Sequence, residues 1–278
     1  MDGPSLVRVR QGAAAVLAAS VFGWLSTLTP GPGGVGLAGA QSAAAAQSKV
    51  AKPKPKPKPT PKPKPPPPDC ARVKCVALTF DDGPAESTRE LLDILAARRV
   101  RATFFLIGEN AAKYPDLVRR EHEAGHEIAD HSYTHADLGR ASKKKIMSEL
   151  TRTQEAIRRA SGVTPVMLRP PYGSTSKRLT KITRELGMAQ VLWTVDPLDW
   201  EHRDTGYVEK RVLRSVKPGY IVLLHDIHPT SVHAVPKIID RLAAKGYVFV
   251  TVPELFGGRL TPGEEYLQRE SGDAQGLP

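Results

Sequence analysis

Cysteine is scarce in this 278-residue sequence, and internal repeats are missing. The two cysteines, Cys70 and Cys75, have no second Cys/His pair near them, so a structural zinc finger is not indicated. In an oxidising compartment we expect them to form a local disulfide, which requires the residues between them to turn. The absence of a repeat of about 20–50 residues argues against a solenoid or propeller.

Basic runs interleaved with aromatic side chains, which mark nucleic-acid surfaces, are also missing. The formal charge is +11, but most of it belongs to the N-terminal segment. Residues 1–68 hold nine Lys or Arg and one acid, whereas residues 69–278 hold 31 basic and 28 acidic residues, a net charge of +3. We therefore expect no nucleic-acid partner, and we expect the basic segment to be attracted to an anionic membrane or cell-wall polymer.

The N-terminal segment has the parts of a secretory signal peptide. Arg8 and Arg10 precede an apolar run from Gly12 to Leu28, and the small residues Ala38-Gly39-Ala40 follow. The run is about 17 residues long, at the lower limit for crossing a bilayer, so an uncleaved signal anchor is the alternative. Residues 1–40 therefore predict export, to the medium or to the cell surface and cell wall.

A linker is predicted at residues 41–68, which end in the sequence KPKPKPKPTPKPKPPPP. Within residues 52–68, proline removes the amide donor and fixes φ, and no apolar side chain is available to bury. It is expected to be an extended polyproline II spacer. The folded domain is then expected at residues 69–260, followed by a C-terminal tail at 261–278.

From Cys75 onward, strand patterns alternate with helix patterns. The predicted strands are 75–80, 102–107, 126–129, 166–169, 189–195, 220–225 and 248–252. The predicted helices are 87–99, 113–124, 143–160, 176–186, 205–215 and 234–244. Such alternation predicts an α/β fold with parallel packing. About seven units in roughly 200 residues favour a distorted (β/α) barrel over an open sheet.

Polar side chains follow the predicted carboxyl ends of these strands. In a barrel these ends converge at one mouth, where active sites lie. Five separate segments contribute: Asp81-Asp82, His131 with His135, Arg169, Asp196 with Asp199, and His225-Asp226. Their convergence predicts a site that combines carboxylates, imidazoles and one guanidinium.

His131 and His135 are candidate metal ligands. They are four residues apart, which on one turn of helix would place both imidazoles on the same side. Two histidines and one carboxylate leave open positions on a zinc-like ion, as a catalytic site requires. Of the adjacent Asp81 and Asp82, one can bind the metal while the other accepts a proton from the metal-bound water as it attacks. Taken singly, both motifs are common in surface turns.

His225 is the candidate general acid, because collapse of a tetrahedral intermediate requires a proton on the leaving nitrogen. An aspartate on its other ring nitrogen would keep the imidazole oriented and protonated. Asp199 could supply that carboxylate. A histidine satisfied within the core is the alternative interpretation.

The sequence resembles the polysaccharide deacetylases that share the NodB homology domain, carbohydrate esterase family 4. The resemblance covers about residues 69–260. Five motifs match in order: Thr79-Phe80-Asp81-Asp82-Gly83-Pro84, His131-Ser132-Tyr133-Thr134-His135, Arg169-Pro170-Pro171-Tyr172-Gly173, Asp196-Pro197-Leu198-Asp199-Trp200 and Leu223-Leu224-His225. Together they are highly specific.

This resemblance implies a role for each motif residue. Asp81 would be the catalytic base, held by Arg169, and Asp199 would tune the general acid His225. The remaining roles are metal ligation by Asp82, His131 and His135, oxyanion stabilisation by the Tyr172 amide, and a pocket for the acetyl methyl formed by Trp200 and Leu223. The divalent metal implied is zinc, with cobalt as the alternative.

The function expected is N-deacetylation of polymers that contain N-acetylglucosamine, either peptidoglycan or chitin oligomers, by a monomeric exported hydrolase. O-deacetylation of xylan is an alternative, because both reactions place an oxyanion beside the metal. A third interpretation is a non-catalytic protein that binds the cell wall. The intact set of acid, base and metal ligands argues against that interpretation.

Overall fold

The computed structural model describes residues 67–258 and 260–269. The predicted signal peptide at residues 1–40 lies outside the described residues, as do residues 41–66 of the predicted linker. None of the helices within the described residues is both long enough and apolar enough to cross a membrane.

Eight strands form one sheet in which every paired strand is parallel to its neighbour. They are β1 (Lys74–Asp81), β2 (Thr103–Leu106), β3 (Glu127–Asp130), β4 (Met167–Leu168), β5 (Ala189–Val191), β6 (Ile221–His225), β7 (Tyr247–Phe249) and β8 (Glu265–Tyr266). The first seven begin within one residue of their predicted starts, because short apolar runs bounded by turn residues mark buried strands well.

The strands follow the order β6-β1-β2-β3-β4-β5-β8, and β7 pairs with the N-terminal part of β1. A parallel bridge between Val195 and Val222 joins the chain that follows β5 to β6, the strand at the other end of this order. The sheet therefore curves toward closure. This confirms the predicted distorted (β/α) barrel.

Helices connect successive strands, as a parallel sheet requires. They are α1 (Glu86–Arg98), α2 (Gly108–Lys113), α3 (Pro115–Glu123), α4 (Lys143–Ser161), α5 (Lys177–Glu185), α6 (Asp199–His202), α7 (Thr205–Ser215), α8 (Pro229–Ala244) and α9 (Val252–Leu255). Six of them were predicted. The other three, α2, α6 and α9, have six, four and four residues, too few to show a helical period.

Alternate residues of β1 belong to two different parts of the core. Val76, Leu78 and Phe80 pack in the large cluster that includes residues from α1 and α8. Cys75 and Ala77 pack with residues from the other strands, such as Phe105, Ala129 and Val191. Because side chains alternate along a strand, Thr79 and Asp81 face the same side as Cys75 and Ala77, which is the interior of the barrel.

The two cysteines lie near the start of the described residues. Cys70 and Cys75 form a disulfide with their Cα atoms 5.4 Å apart. The required turn is present, since the amides of Arg72 and Val73 both donate to the Asp69 carbonyl.

Strand β8 lies within residues 261–278, which were predicted to be a C-terminal tail. It extends the sheet through its pairing with β5.

Candidate active site and metal centre

The strand register brings the polar strand ends together at one mouth. Asp81, the last residue of β1, pairs with His225, the last residue of β6. On the other side of β1, the ends of β2, β3 and β4 lie in register, so that Leu106 pairs with Asp130 and Asp130 with Leu168. The residues that follow these ends include His131 and Arg169. The predicted convergence is therefore a consequence of parallel pairing.

Asp81 forms a buried ion pair inside the barrel. Its Oδ1 lies 2.7 Å from Nη1 of Arg169, and only 2% of Asp81 is exposed. Arg169 is completely buried and also donates to Thr79 Oγ1 and to the carbonyls of Val191 and Leu192. A buried guanidinium held by four acceptors is rigid, so it fixes the orientation of the Asp81 carboxylate.

Asp82, His131 and His135 offer one ligand atom each, and these atoms lie within 4.8 Å of one another. The two imidazole Nε2 atoms are each 3.4 Å from Asp82 Oδ1. Burial opposes ionisation of Asp82, but the interactions with His131, His225 and His135 outweigh it and lower the pKa of this carboxyl to about 2. The carboxylate is therefore anionic across the physiological range.

These three residues fit a divalent cation. His131 Nδ1 lies 2.7 Å from the Arg169 carbonyl, which can only accept, so Nδ1 carries the proton and Nε2 presents its lone pair. Among the described residues, no hydrogen-bond donor satisfies the buried Oδ1 of Asp82. A buried acceptor that faces the Nε2 atoms of two imidazoles is what a zinc-type site requires.

His131 and His135 do not share one turn of helix, the geometry through which their spacing was interpreted. Both lie in the loop after β3, and the backbone φ angles of Ser132 and His135 are 65° and 56°. These left-handed residues turn the loop so that both rings face Asp82, with ring centroids 5.0 Å apart. The spacing of four residues therefore reflects a specific loop and not a helical period.

Two acidic residues that the sequence analysis missed hold this loop. Asp130 Oδ1 accepts a hydrogen bond from the amide of Ser132 at 2.7 Å. Glu149 Oε2, from helix α4, accepts from the amides of Tyr133 and Thr134 at 2.8 and 2.7 Å. The Glu149 side chain is fully buried. It lies between the apolar residues Ile146 and Leu150 of α4, and a charged residue among buried apolar positions was the available signal.

His225 and Asp199 form the predicted pair. Asp199 Oδ1 lies 2.8 Å from His225 Nδ1, and Oδ2 accepts from the His225 amide and from the Ser231 hydroxyl. Burial lowers the pKa of His225, but the hydrogen bond and charge of Asp199, with smaller effects of Asp81 and Asp82, outweigh it and raise the pKa to about 9. The imidazolium is thus the dominant form at neutral pH.

Of the three predicted substrate-contact residues, Tyr172 and Trp200 are exposed and Leu223 is buried. Tyr172 is 71% exposed, has a φ of 62°, and places its hydroxyl 3.1 Å from Nδ1 of His135. Trp200 follows Asp199 in α6 and is 47% exposed. Leu223 is buried two residues before His225 in β6, and the two side chains face the same side of the sheet.

Asp226 is a further buried carboxyl that the sequence roles did not include. Burial is the main cause that raises its pKa, to about 7. Its Oδ2 accepts a hydrogen bond from the Thr88 hydroxyl, and its backbone carbonyl accepts from Ser87. A side chain at position 83 would collide with the Asp226 carboxylate, so glycine is required directly after the metal-ligand candidate Asp82.

Comparison with known proteins places the chain in a family. The family model for polysaccharide deacetylases matches residues 69–191. The peptidoglycan-N-acetylglucosamine deacetylase of Listeria monocytogenes is 40% identical over 197 residues, which cover 70% of this chain and 42% of that protein. The chitooligosaccharide deacetylase of Bradyrhizobium sp. is 36% identical over 203 residues, which cover 67% of this chain and 93% of that protein.

A solved structure described as a T48 deacetylase with substrate is 44% identical, with a TM-score of 0.69, and the match covers 71% of this chain and 98% of that one. The chain spans less than half of the length of the Listeria relative but nearly the full length of the rhizobial one. Sequence, fold and site geometry therefore agree, and the chain belongs to the polysaccharide deacetylase family.

Proposed function

We propose that this protein is a metal-dependent hydrolase that removes N-acetyl groups from N-acetylglucosamine residues of peptidoglycan, with chitin oligomers as a second class of substrate. The observation that carries the proposal is the register of β1 and β6, which pairs Asp81 with His225 directly beside the Asp82, His131 and His135 cluster. A base, an acid and a cation site in one mouth are the groups that amide hydrolysis requires.

Asp82, His131 and His135 would hold the cation, and zinc is the ion proposed, with cobalt as the alternative. Two imidazoles and one carboxylate are a ligand set that zinc prefers, and three protein ligands leave positions open. When bound, a divalent cation supplies Lewis acidity, which polarises the acetyl carbonyl and lowers the pKa of water.

The residues of the chain supply the proton transfers. Asp81 takes a proton from the water that adds to the acetyl carbonyl carbon, and Arg169 keeps its carboxylate in place. His225 then donates a proton to the sugar nitrogen as the carbon–nitrogen bond breaks, which yields acetate and a free amine. Asp199 keeps His225 protonated and occupies its Nδ1, so that the Nε2 proton is the one left to donate to the substrate. The backbone amide of Tyr172 is proposed to stabilise the oxyanion.

The proposed location is outside the cytoplasm, either secreted or attached to the cell surface or cell wall. The basic residues, apolar run and small residues of positions 1–40 support export. The Lys/Pro segment would serve as a spacer whose charge favours anionic wall polymers or membranes. The disulfide between Cys70 and Cys75 is consistent with an oxidising compartment, and the protein is proposed to act as a monomer.

Acetate release by the purified full chain tests this function. We expect release from N-acetylglucosamine oligomers and from peptidoglycan, loss of activity after chelation, and recovery when zinc or cobalt is added. Release from acetylated xylan alone would favour the O-acetyl esterase. Wall binding with no acetate release from any of these substrates would favour the non-catalytic alternative.

A further inference from the structure

Positive charge is concentrated in one part of the domain. Residues 140–184 contain twelve Lys or Arg and two acids, a net charge of +10. The remainder of residues 69–278 contains 19 basic and 26 acidic residues, a net charge of −7. Eleven of the twelve basic side chains are exposed, since Arg169 alone among them is buried. The small net charge of the domain therefore conceals a cationic surface.

The fold brings the basic residues of α4 and α5 together. Arg178 Nη1 donates to the Ala141 carbonyl at 2.8 Å, just before α4 begins. Lys143 at the start of α4 lies 4.0 Å from Glu185 at the end of α5. Both helices also bury apolar residues in a shared core cluster, which includes Ile146 and Leu179. The cations at the start of α4 and those of α5 consequently lie on neighbouring parts of the protein surface, which we call the α4–α5 surface.

A row of cations on α5 lines a cleft in this surface. Lys177, Lys181 and Arg184 are separated by four and three residues, so they share one face of the helix. The cleft has a volume of about 760 Å³, and its other lining residues are Thr175, Ser176, Thr180, Glu185 and Glu265. Arg184 is 3.8 Å from Glu264, whereas Lys177 and Lys181 have no ion-pair partner among the described residues.

One end of the cleft is close in the chain to Tyr172, whose hydroxyl contacts the candidate metal ligand His135. Thr175 lines the cleft and follows Tyr172 by three residues, a span of at most about 11 Å. The Tyr172 hydroxyl contacts His135, and Gly139 packs so closely on Ser174 that a side chain there would collide with it. A polymer whose acetyl group lies at Asp82, His131 and His135 can therefore extend along the α4–α5 surface.

We infer that Lys177 and Lys181 bind carboxylates of the polymer, so that the enzyme prefers an acidic N-acetylated glycan to a neutral one. This inference rests on the proposed function. Peptidoglycan fits because each lactyl group carries either a free carboxylate or a peptide with carboxylates of its own, whereas chitin oligomers are neutral. The contacts lie away from the scissile amide, so they stabilise the bound substrate and the transition state equally, and the preference is expected in KM and not in kcat.

The first test compares two tetrasaccharides of equal length with the full-chain enzyme. One is the neutral tetramer of N-acetylglucosamine, and the other is a peptidoglycan tetrasaccharide whose alternate sugars carry lactyl carboxylates. We expect a lower KM for the acidic tetrasaccharide at low salt, and we expect added sodium chloride to remove the difference through screening. Equal KM values that do not depend on salt would overturn the inference while leaving the deacetylase function intact.

A pair of double variants tests the residues. Lys177→Gln with Lys181→Gln is expected to raise the KM for the acidic tetrasaccharide roughly threefold to tenfold relative to the neutral one, the range for two exposed charges. The matched control is Lys210→Gln with Arg214→Gln, which removes two exposed charges from α7. An equal rise in the control, or an equal rise for both substrates, contradicts the inference. Failure of the wild-type enzyme to deacetylate either substrate contradicts the proposed function instead.

Discussion

The metal side and the acid side of the site are built in different ways. On the metal side, two of the three candidate ligands, Asp82 and His135, have positive φ angles. On the acid side, His225 ends a strand and Asp199 begins a helix, and the left-handed residue that precedes Asp199, Leu198, carries no reacting group. A left-handed residue other than glycine costs about 1–3 kcal/mol, so the metal side needs support from the structure around it.

That support comes from residues outside the motifs. Glu149 and Asp130 accept hydrogen bonds from the amides of the metal-side loop, and the Asn110 side chain donates to the Asp82 carbonyl. On the acid side, Asp199 itself bonds both the ring and the amide of His225, and among the described residues Ser231 is the one outside the motifs that donates to the Asp199 carboxylate. We therefore expect the metal side to respond to distant substitutions and the acid side to respond to pH.

The largest effect is expected for Asp82→Asn. Asparagine tolerates the positive φ of this position and keeps the size of the side chain, so the fold should persist while the anionic ligand is lost. Acetate release should become undetectable, and the metal content of the purified protein should fall. Elemental analysis measures this directly, and unchanged metal content would mean that Asp82 is not a ligand.

Asp81→Asn is expected to separate catalysis from metal binding. Removing a general base costs roughly 10²–10⁴ in kcat, whereas the metal content should stay at the wild-type level. The asparagine oxygen can still accept from Arg169, which limits the loss of stability. Loss of metal in this variant would show that the roles of the two aspartates are exchanged.

Glu149→Ala tests the dependence of the metal side on a residue that touches no ligand side chain. Removal of groups that orient metal ligands typically weakens metal affinity about 10–100-fold, and we expect that loss in a chelator competition assay. The matched control is Glu155→Ala on the same helix, which pairs with Arg158 and Arg159 instead of with the loop amides. Equal metal affinity in the two variants would mean that Glu149 does not support the metal side.

Asp199→Asn tests the acid side through pH. The pKa of His225 is raised to about 9, so the protonated donor dominates below pH 9 and activity should fall as the pH rises through about 9. Without Asp199, the pKa moves toward its usual 6.5, and the alkaline limb of the kcat profile should move to lower pH. At pH 8, a pKa of 6.5 would leave about 30-fold less of the protonated form than a pKa of about 9. An unmoved limb would assign it to another group.

Features that depend on local sequence patterns could be predicted, and those that depend on distant contacts could not. Apolar runs such as Cys75–Phe80 predicted the strand starts, because burial on both faces leaves a clear local pattern. The spacing of His131 and His135 was interpreted through one turn of helix, but a loop with left-handed residues brings two side chains four residues apart together as well. The support from Glu149 was missed because its partners lie 15 and 16 residues away in the sequence.

The amino-acid sequence alone determined the order of the first seven strands and the six longer helices, the family motifs and the types of side chain that reach the mouth. These features depend on local patterns of burial and turn residues. Only the tertiary structure decided which atoms face each other: the pairing of Asp81 with His225, the common orientation of two imidazoles toward Asp82, and the contact between α4 and α5 that concentrates positive charge. Those depend on register and on left-handed backbone, which sequence spacing does not encode.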